Sequence, residues 1–161
     1  MIPTNVTVKG GGLLDGVRVV DFTRALAGPF CTRLMADMGA QVIKIEPPGG
    51  DSSRNFEYQT SEGISGYFMQ QNCGKQDVCV DLASPHVKES IRRLVAISDV
   101  VIENFRPGVM HRQGLDYDEL RKLNPSIIMC SISGFGEGSP YEHRAGGDMI
   151  IQSMSGLASL T

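Results

Sequence analysis

The sequence predicts an α/β protein built on an open parallel sheet, and three observations carry that prediction. Short apolar, β-branched runs recur at residues 17–22 (VRVVDF), 41–45 (QVIKI), 78–82 (VCVDL), 99–103 (DVVIE) and 127–132 (IIMCSI). Stretches with helical spacing of apolar residues lie between them. The first strand, helix and second strand follow one another in under thirty residues, the pattern of a βαβ unit.

Each element has its own signal. After VRVVDF, residues 23–38 place Leu34, Met35 and Met38 at helical spacing, and Gly39 stops the helix. QVIKI ends at Pro47-Pro48-Gly49-Gly50, which cannot continue a ladder. Residues 51–65 are polar and turn-rich and read as a loop or short irregular segment over one sheet edge. Residues 68–71 open a short helix. After VCVDL, Ser84-Pro85 starts a helix whose inward stripe is Val87, Ile91, Leu94 and Val95. Two short helices are expected over 109–113 and 116–123, with Asp116 as a cap. IIMCSI reads as the most strongly buried strand. A Gly-rich loop over 134–147 leads into a helical stretch over 148–158. The sum is a Rossmann-like sheet of four or five strands with flanking helices, in which ligands bind beyond the carboxyl ends of the strands.

At 161 residues the chain suits one domain, residues 14–161, preceded by a Gly-containing lead-in over 1–13 that no strand precedes and that therefore does not read as a phosphate loop. A net charge of -3 gives no bulk electrostatic pull toward nucleic acid. The first dozen residues lack a signal-peptide pattern and no apolar stretch approaches spanning length, so neither a membrane nor export is expected. Cys31, Cys73, Cys79 and Cys130 form no C-x-x-C pair, which predicts reduced thiols in a cytoplasmic setting and no metal site. No G-x-G-x-x-G follows the first strand, which argues against a nicotinamide-binding domain.

More specific evidence lies in the stretch VVDFTRALAGPFCTRLMADMGAQVIKIEPPGGD over 19–51, in Asn72-Cys73-Gly74-Lys75 before the third strand, in DVVIENFRPGVMHRQGLDYDELRKLNPSIIMCSISGFG over 99–136, and in GGDMIIQSMSGL over 146–157. In order and spacing these stretches resemble the N-terminal part of the class III CoA-transferase family, which includes formyl-CoA, carnitine-CoA and bile-acid-CoA transferases and the α-methylacyl-CoA racemases. The resemblance covers residues 14–161.

The resemblance implies that residues 23–27 line a coenzyme A site, nominating Arg24, Ala25, Leu26 and Ala27. An Arg there can hold a phosphate by paired hydrogen bonds, and the competing reading of Arg24 is plain surface charge. Asn104 and Phe105 match a pair near the thioester and pantetheine arm, although Phe105 reads equally as a core aromatic. Arg106 and Arg112 supply positive charge, with Arg112 toward the nucleotide end. Lys75 and Val80 complete the set nominated to contact CoA, against the ordinary expectation that a loop Lys is only solvated. Departures from the family pattern are Pro47 and Ala145, where some formyl-CoA transferases carry Arg and Lys, and Ser139, which replaces a Gly common in the family although formyl-CoA transferase-like members also vary there.

The family mechanism is covalent catalysis by an Asp carboxylate that attacks an acyl-CoA thioester. The resemblance places that Asp downstream of Ser155-Gly156-Leu157, beyond Thr161, so the catalytic residue is not assigned here and the chain is expected to be an inactive, CoA-binding fragment. Asp148 reads instead as a carboxylate at a helix N-terminus. Whole family members act on acyl-CoA and a carboxylic acid acceptor and form interlinked homodimers. Two alternatives stay open: a non-catalytic CoA-binding or subunit-docking module, and a racemase fragment. The racemases carry an acid/base His where this chain has Gly147, and His143 is four positions away from it.

Overall fold

Strands β1 (Arg18–Asp21), β2 (Gln41–Glu46), β3 (Gln76–Cys79), β4 (Val100–Glu103) and β5 (Ile128–Ser131) pair in the order β3-β2-β1-β4-β5, every neighbour parallel. This is the sheet of a computed structural model that describes residues 11–160 apart from residue 57. The helices are α1 (Ala27–Asp37), α2 (Gly66–Asn72), α3 (Pro85–Ala96), α4 (Val109–Gln113), α5 (Tyr117–Leu123) and α6 (Asp148–Met154), with single 3-10 turns at Ser52–Asn55 and Leu157–Ser159.

Local chemistry sets the helix ends. Pro85 takes the first position of α3, where its missing N–H has no partner to lose. The Asp116 carboxylate accepts the Glu119 N–H at 3.0 Å and starts α5. Ser65 accepts the Phe68 N–H at 3.3 Å and starts α2.

Successive residues of the central strands point to opposite faces. Val20 and Val101 join one core cluster with Phe22, Ile91, Val95 and Leu120, while Val19 and Ile102 join the other with Ala40 and Val42. The register Val19↔Val100 and Val20↔Val101 keeps β1 and β4 in step, so both carboxyl ends emerge side by side.

The structure departs from the sequence expectations in several places, one being β3, which runs over Gln76–Cys79 with all four residues exposed where a strand was expected over 78–82. IIMCSI is not a buried strand: Ile127 is 4% exposed, but β5 lies at the sheet edge and Ile128 is 62% exposed. Its apolar run reflects β-propensity, whereas burial depends on a neighbour that the edge position does not supply. Residues 51–65 are not simply a surface loop, because Asp51, Ser53 and Ser65 are buried. Helix α1 begins at Ala27, leaving residues 23–26 as a loop, and of its three spaced apolar residues Met35 packs inward while Leu34 and Met38 stay exposed. Residues 1–10 of the lead-in lie outside the described residues. Gly12 sits against Met38, where a Cβ would come 2.1 Å from the carbonyl oxygen.

Candidate functional site

The strand order reverses between β1 and β4, and their carboxyl-end loops open a crevice at the point where parallel α/β sheets bind ligands. The Asn104 side chain ties the two loops together. Its Oδ1 accepts the Arg24 N–H and its Nδ2 donates to the Arg24 carbonyl, both at 2.8 Å. The Arg24 guanidinium lies over the Phe105 ring, 5.1 Å from its centroid, a cation–π contact at the surface. Glycine is required where α1 leaves this loop, since a Cβ on Gly28 would stand 2.2 Å from Thr23.

A buried polar network lies under the first loop. Asp21, at the end of β1, accepts the Thr23 N–H at 2.8 Å, the Thr32 hydroxyl at 2.6 Å and the Lys75 ammonium at 3.1 Å. Lys44, pointing inward from β2, donates to the Thr23 carbonyl at 2.7 Å and to Asp51 at 3.1 Å. Asp51 also accepts the Ser53 N–H and hydroxyl at 2.9 and 2.8 Å and the Ala25 N–H at 3.3 Å. Burial opposes ionisation of Asp51, but Ser53 and Lys44 together outweigh it and hold the carboxyl below the ordinary carboxylate range. Burial pushes the Lys75 ammonium below the usual lysine range, against the pull of Asp21.

Five consecutive backbone groups, from the Thr23 N–H to the Ala25 N–H, are thus bonded to side chains. Ala25 has φ 63°, the left-handed region, which costs a non-glycine residue on the order of 1 kcal/mol. The surrounding bonds offset that cost.

Beside this loop, a crevice of about 240 Å³ is lined by Ala27, Asn104, Phe105, Arg106, Gly134 and Arg144. Gly134 and Gly146 close its far wall at such short range that a Cβ on either would come within 2.4 Å of the other's Cα. A larger cleft of about 700 Å³ continues along α4 past Arg106, His111, Tyr117 and Ile128. Both cavities share Arg106 and Pro107 as their divide. Their cationic side chains include Arg106 and Arg144, set among the carboxylates Glu103, Asp116, Glu137 and Glu142, and Phe105 and Met110 are among their apolar surfaces.

Of the residues predicted from sequence, Arg24, Ala25, Leu26, Ala27, Asn104, Phe105 and Arg106 come together at this junction. Arg112 lies one turn along α4, its guanidinium 3.3 Å from where a Cβ on Gly108 would be. Lys75 is buried, not solvated. Its side chain is 1% exposed and its ammonium donates to Asp21, the Pro29 carbonyl at 3.0 Å and Asn72 at 2.8 Å. Val80 faces a separate apolar cleft of about 310 Å³ with Ile45, Val87 and Leu94. Asp148 stands exposed in the first turn of α6, where it accepts Gln152 Nε2 at 2.7 Å. His143 is exposed and pairs with Glu142 at 3.1 Å.

Sequence reasoning missed Asp21, Lys44 and Asp51. A signal for them was present: a Lys in the middle of QVIKI, between buried positions, needs a carboxylate close by. Among the described residues no cluster of three or more His, Cys, Asp or Glu side chains is placed to hold a metal ion, and no helix is long and apolar enough to cross a membrane.

Known proteins resemble the chain in sequence and in fold. The chain is 46% identical over 155 residues to a succinate–glutarate CoA-transferase of Agrobacterium fabrum, covering 92% of this chain and 39% of the relative. It is 43% identical to an acetyl-CoA:oxalate CoA-transferase of Acetobacter aceti, covering 95% of this chain and 39% of the relative. The chain therefore spans about two-fifths of the length of these relatives. The crystal structure of a CAIB/BAIF family protein from Brucella suis superposes with a TM-score of 0.88 at 43% identity, over 94% of this chain and 41% of that one. The family model of CoA-transferase family III matches residues 14–161, nearly every residue described, and the chain belongs to that family.

Proposed function

We propose that this chain is the CoA-binding segment of an acyl-CoA:carboxylate CoA-transferase. The observation that carries the reading is the junction of the β1 and β4 loops, where Asn104 clasps Arg24 at 2.8 Å beside Phe105 and Arg106 at the sheet's switch point. Arg24, Arg106 and Arg112 supply guanidinium groups suited to phosphates, and Ala25, Leu26, Ala27, Asn104 and Phe105 supply the loop surfaces for the pantetheine arm.

In this reading a carboxylate outside these residues attacks the thioester carbonyl and expels the CoA thiolate, giving an acyl–carboxylate anhydride. The thiolate then attacks the enzyme's side of the anhydride, releasing the first acid and leaving an enzyme thioester. The acceptor acid reverses both steps and leaves as the new acyl-CoA. The task of this segment is to keep the departed thiolate bound between steps. Succinate, glutarate and oxalate, acids in the names of relatives, are the first acceptors to test on a protein carrying this segment. A homodimeric, cytoplasmic enzyme goes with the reading.

Calorimetry with CoA tests it. The 161-residue chain is expected to bind CoA. Arg24→Ala and Arg112→Ala should each weaken binding roughly 10- to 100-fold, the loss of one charged hydrogen-bonding group. Absence of binding at millimolar CoA by the folded chain would overturn the reading, as would unchanged affinity in both variants.

A further inference from the structure

Asp51 lies 26 residues beyond Ala25, on a different turn of chain, yet its carboxylate reaches the Ala25 N–H with both oxygens at 3.3 Å. It is 1% exposed and held by Lys44 and by both polar groups of Ser53. Lys44 in turn fixes the Thr23 carbonyl. Ala25 is the residue forced into the left-handed region, so without these bonds the loop has a lower-energy alternative. The network spends buried charge on holding a strained surface loop in one shape, the arrangement found where a binding loop must be preorganised.

We infer that Asp51, seated by Lys44, is a positioning residue that fixes residues 23–25 in the shape that CoA binding requires. The inference rests on the reading of this loop as a CoA-contacting surface. Neither side chain faces the crevice beyond the loop, so their effect on the ligand passes through the Ala25 backbone.

The test compares Asp51→Asn, the charge-neutral pair Lys44→Met with Asp51→Asn, and Ile91→Ala as a core lesion away from the loop. The neutral pair avoids an uncompensated buried ammonium and serves if the single variant does not fold. Two quantities are read in each folded form: hydrogen exchange at the Ala25 amide relative to Val19 and Val20, and CoA affinity by calorimetry. The loop-fixing role predicts at least 10-fold faster exchange at Ala25 alone, with CoA binding at least 10-fold weaker, in both Asp51 variants. Ile91→Ala should speed Ala25 no more than the β1 amides and leave affinity within twofold. Ala25 exchange that merely tracks Val19 and Val20 overturns the inference, and so does unchanged CoA affinity in a variant whose loop has loosened. Should wild type itself not bind CoA, the functional reading has failed, and the exchange ratio alone upholds or overturns the fixing of the loop.

Discussion

The β1–β2 side of the switch point and the β4–β5 side are built by opposite means. On the first, Asp21, Lys44, Asp51 and Lys75 are withdrawn from water, each bonded to partners drawn from distant parts of the chain. On the second, β5 is an edge strand whose residues are largely exposed, and α6 has no buried residue, with Met149 82% exposed. One side of the crevice is buried and hydrogen-bonded, while the other is exposed in this chain, which spans about two-fifths of the relatives it matches. A ligand meeting the first would find a preformed wall, which reduces the ordering cost of binding.

The sharpest way to break this contrast is to remove a buried charge. Lys75→Met leaves the Asp21 carboxylate buried without its ammonium and should lower stability by about 3–5 kcal/mol, measured by urea unfolding. A loss under 1 kcal/mol would mean that the network is looser than its geometry. Truncation of a fully buried apolar residue comes next: Ile102→Ala, at 2% exposure, should cost about 2–4 kcal/mol.

Acid sharpens the comparison further. The Asp51 carboxyl is held below the ordinary aspartate value in the folded chain, so the unfolded state binds more protons as pH falls. Its stabilising contribution is complete above that value and is lost as pH drops through the lower folded one. Stability measured from about pH 5 down to about pH 2 should therefore fall less steeply in Asp51→Asn than in wild type. An identical slope would contradict the assignment. The smallest effect belongs to the exposed side: Ile128→Ala, at the sheet edge and 62% exposed, should change stability by no more than about 0.5 kcal/mol.

The same contrast explains what could be read from sequence. Four of the five strands were legible because β-branched runs between helical patterns report local preference directly, whereas β3 falls at Gln76–Cys79 and not over 78–82, and the loops at 23–26 and 104–106 follow from where those runs end. Burial of a whole strand was not legible. IIMCSI is more apolar than QVIKI, yet QVIKI sits between two strands and IIMCSI has one. Nor was the pairing of Lys75 with Asp21, which are 54 positions apart and meet only once α1 has packed on the sheet. The Ser- and Gly-rich segment around Asp51 looked like solvent-facing loop because its composition suits turns; its burial comes from Lys44, whose inward direction is set by strand alternation.

The most direct test of the central claim is to follow backbone amide shifts of the chain as CoA is added. The largest changes should fall at residues 23–27 and 104–106, on both lips of the crevice. Shifts concentrated instead around Val80, Val87 and Leu94 in the apolar cleft under α3, or none at saturating CoA, would contradict it.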